Sequence, residues 1–129
     1  EEKHEAADVA QKYGVSVISL IAPTSEDRIK MIASEAEGFI YIVSSMGVTG
    51  VRSEIKTDIG HIMEAVKKYA KVPAAVGFGI SKPEQAKKMA DLSDGVIVGS
   101  AIVKLVAQYG SDAPDHIYEY VKSMKDAIR

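Results

Sequence analysis

The sequence predicts an α/β fold, in which one leading helix precedes four parallel β-strands, each handing over to a helix. Short strand-like apolar runs alternate with longer stretches of helical period, and that alternation forces parallel strands joined by right-handed crossovers. Glycine turns stand where three of the runs end: Gly47-Val48-Thr49-Gly50 after residues 39–43, Gly77-Phe78-Gly79 after 74–76, and Gly99-Ser100 after 96–98. Gly38-Phe39-Ile40-Tyr41-Ile42 and Gly95-Val96-Ile97-Val98 echo one another, as repeated βα modules do.

Each element follows from local pattern. Ala6, Val9, Ala10 and Tyr13 fall at i, i+3, i+4 and i+7, a helical stripe that stops at Gly14. Residues 15–21 read as a buried strand. Pro23-Thr24 opens the next helix, with Thr24 and Asp27 at capping-box spacing, Ile29, Ile32, Ala33 and Ala36 as its buried face, and Gly38 as its end. Residues 39–43 form the second strand. A loop from Ser44 to about Thr57 follows, carrying two glycines and alternating charges; loops of that length in a compact domain usually serve function. Ile59, Ile62, Met63 and Val66 restore the helical period through Ala70, and residues 72–76 form the third strand.

Ser81 and Glu84 match a capping box, with Pro83 in the first turn where its missing N–H costs nothing. That helix runs to about Leu92 with Ala86, Met89 and Ala90 inward, and residues 95–98 form the fourth strand. A short helix over 101–108 opens directly after Gly99-Ser100. Residues 111–114 read as a turn, and Ile117, Val121, Met124 and Ile128 define a last amphipathic helix.

Composition bounds the function classes. With 129 residues, 47% hydrophobic and 26% charged, the chain suits one domain over residues 1–129 with a single core. A net charge of −2 with Lys and Arg spread along the chain gives no basic face for nucleic acid. The absence of cysteine removes disulfides, thiolate metal sites and a Cys nucleophile, and with the acidic N-terminus it points to a cytoplasmic protein. No apolar stretch approaches the roughly 20 residues of a membrane span. His4, His61 and His116 are dispersed without metal-ligand spacing. The chain opens at Glu1 in what reads as the middle of a helix, the expectation for a fragment or processed product.

The three glycine turns together describe a phosphate cradle. Glycine lets backbone N–H groups approach an anion without a Cβ in the way, and a helix starting beside the turn adds unpaired donors and positive dipole. In an eight-stranded barrel, phosphate typically binds the loops after the seventh and eighth strands, at the N-terminus of a short extra helix. Here Gly77-Phe78-Gly79 and Gly99-Ser100 follow the third and fourth strands, and the short helix starts at the second turn. The expected architecture is therefore half of a TIM (βα)8 barrel, its strands corresponding to five through eight.

The stretches Ile21-Ala22-Pro23-Thr24, Gly38-Phe39-Ile40-Tyr41, Gly47-Val48-Thr49-Gly50-Val51-Arg52, Val76-Gly77-Phe78-Gly79-Ile80-Ser81 and residues 94–103 (Asp94-Gly95-Val96-Ile97-Val98-Gly99-Ser100-Ala101-Ile102-Val103) resemble the tryptophan synthase alpha subunit, in that family's order and at about its spacing. The resemblance covers essentially the whole chain but only the C-terminal half of the family's barrel. It implies a lyase of tryptophan biosynthesis that cleaves indole-3-glycerol phosphate to indole and glyceraldehyde 3-phosphate. It implies as well a beta-subunit partner that holds pyridoxal phosphate, the alpha subunit having no cofactor or metal of its own. Carried over by residue, Gly50, Gly79, Gly99 and Ser100 hold the phosphate. Leu20, Tyr41, Phe78 and Ile97 line the indole pocket, and Thr49 sits on a loop that positions a catalytic carboxylate.

The family's catalytic glutamate and aspartate belong to the N-terminal half, so the resemblance implies no catalytic residue here and no turnover by this chain alone. Glu54 and Asp58, on the loop expected after the second strand, are the carboxylates nearest the ligand face and read as surface residues. Half a barrel leaves two open edge strands and an uncovered interior, so closure requires the missing N-terminal half or a second copy. The alternatives are an open flavodoxin-like phosphate-binding module and a different phosphate-binding barrel enzyme. Edge burial separates the first from a half-barrel.

Overall fold

The computed structural model describes residues 2–44, 52–77 and 79–129. The order is α1 (Glu2–Lys12), β1 (Ser19–Ile21), α2 (Glu26–Glu35), β2 (Ile40–Val43), α3 (Arg52–Tyr69), β3 (Ala74–Gly77), α4 (Pro83–Ala90), β4 (Gly95–Val96), α5 (Ser100–Tyr109), a 3₁₀ turn (Gly110–Asp112) and α6 (Ala113–Ile128). Among the described residues no helix is long and apolar enough to cross a membrane.

The strands form one sheet in the order β1-β2-β3-β4, all parallel. Each crossover therefore moves one strand further in the same direction, and with a constant right-handed connection all covering helices gather on one face. A doubly wound sheet instead reverses its strand order to clothe both faces. Burial follows the first pattern. Ile21, Ile40, Ile42, Ala74 and Val76 point to the helices and are buried, and Ile29, Ala33, Ile59, Ile62, Met63, Val66 and Met89 meet them there. The opposite face carries the register row Leu20, Tyr41, Ala75 and Gly95. Leu20 on that face is 61% exposed while its neighbour Ile21 is 0% exposed.

Several boundaries differ from those the sequence suggests. The first strand is Ser19–Ile21, not residues 15–21: Val15 is exposed, and the Val17 N–H donates to Glu37 Oε1 at 2.8 Å instead of joining the ladder. Ser25, not Thr24, caps α2, its Oγ accepting from the Arg28 N–H at 3.4 Å. Helix α3 begins at Arg52, so residues 52–57 of the expected loop are helical and Glu54 and Asp58 fall in a helix, with their side chains outside the described part.

Gln85 replaces Glu84 in the cap of α4, its Oε1 accepting from the backbone N–H groups of Ser81 and Lys82, each at 3.0 Å. The β4 ladder stops at Val96, extended by one bond from the Ile97 N–H to the Val76 carbonyl at 2.8 Å. The turn expected over 111–114 is the 3₁₀ turn Gly110–Asp112, and α6 takes Pro114 into its first turn. On α6 the inward face runs through Tyr120, Met124 and Ile128, leaving Val121 exposed.

Candidate active site

In a parallel sheet all C-terminal strand ends lie on one side, so the loops after β3 and β4 leave from adjacent points. Backbone bonds fix those ends together. The Ser44 N–H donates to the Gly77 carbonyl at 3.0 Å, joining the end of β2 to β3, and the Ile97 bond to Val76 joins β3 to the chain beyond β4. At the opposite end of the sheet, Asp94 Oδ2 accepts from the Ala74 N–H at 2.9 Å, so that carboxylate closes the start of β3 and stands away from the ligand side.

Two arms rise from the paired ends. In the first, Gly79 has φ +79°, a left-handed conformation open to glycine at little cost and strained for residues with a Cβ. In the second, Gly99 is the N-cap of α5 with no side chain to bond the helix's leading N–H groups. The N–H groups of Ile102 and Val103 reach the Gly99 carbonyl at 3.0 and 3.2 Å, whereas those of Ser100 and Ala101 stand at the first two helical positions, where no intrahelical acceptor exists. A Cβ at Gly99 would meet open space. Helix α2 bonds a first-turn N–H to the Ser25 hydroxyl, whereas α5 presents bare donors next to the exposed Ser100 hydroxyl. Such a terminus suits an anion.

Tyr41 shares the uncovered face with Leu20, and its ring lies over Gly77: a Cβ at position 77 would overlap the Tyr41 Oη and Cζ and stand 2.8 Å from Cε1. Gly77 thus serves to seat an aromatic ring, a role the sequence reading, which counted it as part of a turn, did not supply. Ile97 is half-buried just past β4. Of the residues expected in the site, Gly79, Gly99 and Ser100 lie on the two arms, and Leu20 and Tyr41 lie on the open sheet face. Gly50, Thr49 and Phe78 lie outside the described residues.

The sequence reading also missed Tyr120. From α6 its Oη donates to the Ser81 carbonyl at 2.5 Å, and burial raises its pKa above the ordinary value. Its only advance signal was its place on the inward stripe of the last helix. Among the described residues no group of three or more His, Asp or Glu gathers as a metal site.

The whole chain resembles known proteins. The family model for the tryptophan synthase alpha chain matches residues 1–129. The tryptophan synthase alpha chain of Lacticaseibacillus casei is 48% identical over 128 residues, covering 99% of this chain and 48% of the relative. The alpha subunit of Campylobacter jejuni superposes with a TM-score of 0.79 at 31% identity, covering 98% of this chain and 48% of that one. A structure of the tryptophan synthase α2β2 complex from Pyrococcus furiosus matches with a TM-score of 0.75 at 30% identity, covering 95% and 48%. The chain spans about half the length of the curated relatives it matches. It belongs to the tryptophan synthase alpha chain family.

Proposed function

We propose that this chain carries the C-terminal half of a tryptophan synthase alpha active site: the phosphate subsite and one wall of the indole pocket, on four strands of a (βα)8 barrel. The observation that carries the reading is the bare N-terminus of α5 at Gly99-Ser100, beside the strand end that leads to the left-handed Gly79. The one-sided burial of the sheet supports a half-barrel over a module clothed on both faces. The uncovered row from Leu20 to Gly95 is then the inner wall.

In this reading, indole-3-glycerol phosphate sits with its phosphate on the N–H groups of Ser100 and Ala101, the Ser100 hydroxyl, and the backbone at Gly79 and Gly50. The ring lies against Leu20, Tyr41, Phe78 and Ile97, and Thr49 orients a carboxylate from the other half. Cleavage to indole and glyceraldehyde 3-phosphate needs a proton delivered at indole C3 and another withdrawn from the glycerol hydroxyl, work for positioned carboxylates. The family's glutamate and aspartate for those steps lie in the N-terminal half, so this chain anchors and orients but does not turn over alone. Closure comes from that missing half or from a second copy. The cytoplasmic unit needs no cofactor of its own and hands indole to a pyridoxal-phosphate-bearing beta subunit.

The test combines this chain with a separately made N-terminal half and follows indole release from indole-3-glycerol phosphate. Activity in the mixture and in neither piece supports the reading. Turnover by this chain alone refutes the division of labour.

A further inference from the structure

Helix α6 packs against both α4 and α5, the two helices that start in the proposed cradle. It is tied to each. The Tyr120 Oη donates to the Ser81 carbonyl in the segment between Gly79 and α4. Near the other end of α5, the His116 ring stacks on Tyr109 with centroids 3.5 Å apart and planes 9° from parallel.

Ser81 is held from the other side as well. Gln85 Oε1 accepts from the Ser81 N–H at 3.0 Å and from its hydroxyl at 3.3 Å. The Tyr120 bond takes the remaining polar group, the carbonyl, so rotation of the peptide after Ser81 costs a hydrogen bond. Two residues upstream, Gly79 has φ +79° and no Cβ to stiffen it. Without an anchor just downstream, that turn has many orientations for its N–H groups.

We propose that Tyr120 is a positioning residue: through the Ser81 carbonyl it sets the Gly79 arm of the cradle at a fixed distance from the α5 N-terminus, so that both arms meet one phosphate. Tyr120 does not touch the anion. Preorganised donors bind more tightly than donors that must be ordered on binding, because the ordering cost is met during folding. The inference rests on the phosphate reading above and assigns a role within it.

The experiment titrates the whole chain with sn-glycerol 3-phosphate by calorimetry and compares Tyr120→Phe with Met124→Ala. The second variant cuts a buried side chain on the same helix and leaves the tyrosine in place. Tyr120→Phe is expected to weaken binding about fivefold, the size of one lost hydrogen bond, and in the ligand-free chain to move the Gly79 and Ile80 amide resonances. Met124→Ala is expected to lower the melting temperature more while leaving the dissociation constant within about twofold, since it breaks no bond to the loop.

Equal binding by Tyr120→Phe and the unsubstituted chain overturns the inference and leaves the phosphate reading standing. Weakening by Met124→Ala as large as that by Tyr120→Phe overturns it too, since α6 would then act through stability alone. Failure of the unsubstituted, folded chain to bind sinks the phosphate reading and the inference together.

Discussion

The Tyr41 ring occupies the space where a side chain at Gly77 would project, so the two residues, on neighbouring strands, share one volume on the open face of the sheet. Gly77→Ala is expected to force the ring aside and destabilise the chain by about 1–3 kcal/mol, the range for overfilling a packed site. Replacing Tyr41 by Leu in the same chain is expected to return part of that loss. A urea-denaturation double-mutant cycle reads the coupling, and strict additivity would mean that the ring moves away freely.

Leu20 and Ile21 are adjacent in sequence and opposite in environment. Ile21→Ala is expected to cost about 2–5 kcal/mol, the loss of a buried aliphatic side chain with a cavity left behind. Leu20→Ala should stay within about 0.5 kcal/mol in the isolated chain, as surface substitutions do. Paired with an N-terminal half, Leu20→Ala should weaken association, since the proposed half-barrel reading makes the exposed face an interior. Equal stability losses for the two variants would show that the open face is covered in solution.

On the cradle, Ser100→Ala is expected to weaken glycerol phosphate binding about fivefold through one lost hydroxyl donor, with no change in melting temperature. Gly79→Ala adds backbone strain of about 1–2 kcal/mol at φ +79°. It should lower both affinity and stability. Calorimetric titration with parallel thermal melts separates the two patterns.

Alkaline titration offers a check on the Tyr120 contact. Burial raises the Tyr120 pKa above 10.0, so the folded state favours the neutral phenol that donates to Ser81. The resulting stability is fully present below pH 10 and is lost as pH rises through the folded-state pKa. The ultraviolet difference titration of the chain against Tyr120→Phe isolates the Tyr120 phenol, which should ionise above its ordinary value. A Tyr120 phenol ionising at or below its ordinary value would contradict the burial of the ring's hydroxyl against Ser81.

Helical periods and glycine turns determined most of the architecture from sequence alone. Ile59, Ile62, Met63 and Val66 announced the buried face of α3, and Gly99-Ser100 announced a helix with an uncapped start, because apolar spacing and the absence of a Cβ are local properties of the chain. The family was legible for the same reason, in short contiguous motifs around those turns. Strand and cap boundaries were not. Thr24 and Ser25, or Glu84 and Gln85, are near-equivalent on paper, and which one bonds depends on the approach of the preceding strand.

Only the tertiary structure decided that the strands run in simple order, that Leu20 stands exposed on one sheet face while Ile21 is buried on the other, and that Gly77 lies against Tyr41 and Ser81 against Tyr120. Tyr41 meets Gly77 across 36 positions, and Tyr120 meets Ser81 across 39. Contacts of that span arise from how the crossovers close in space, and no local pattern of residues encodes them.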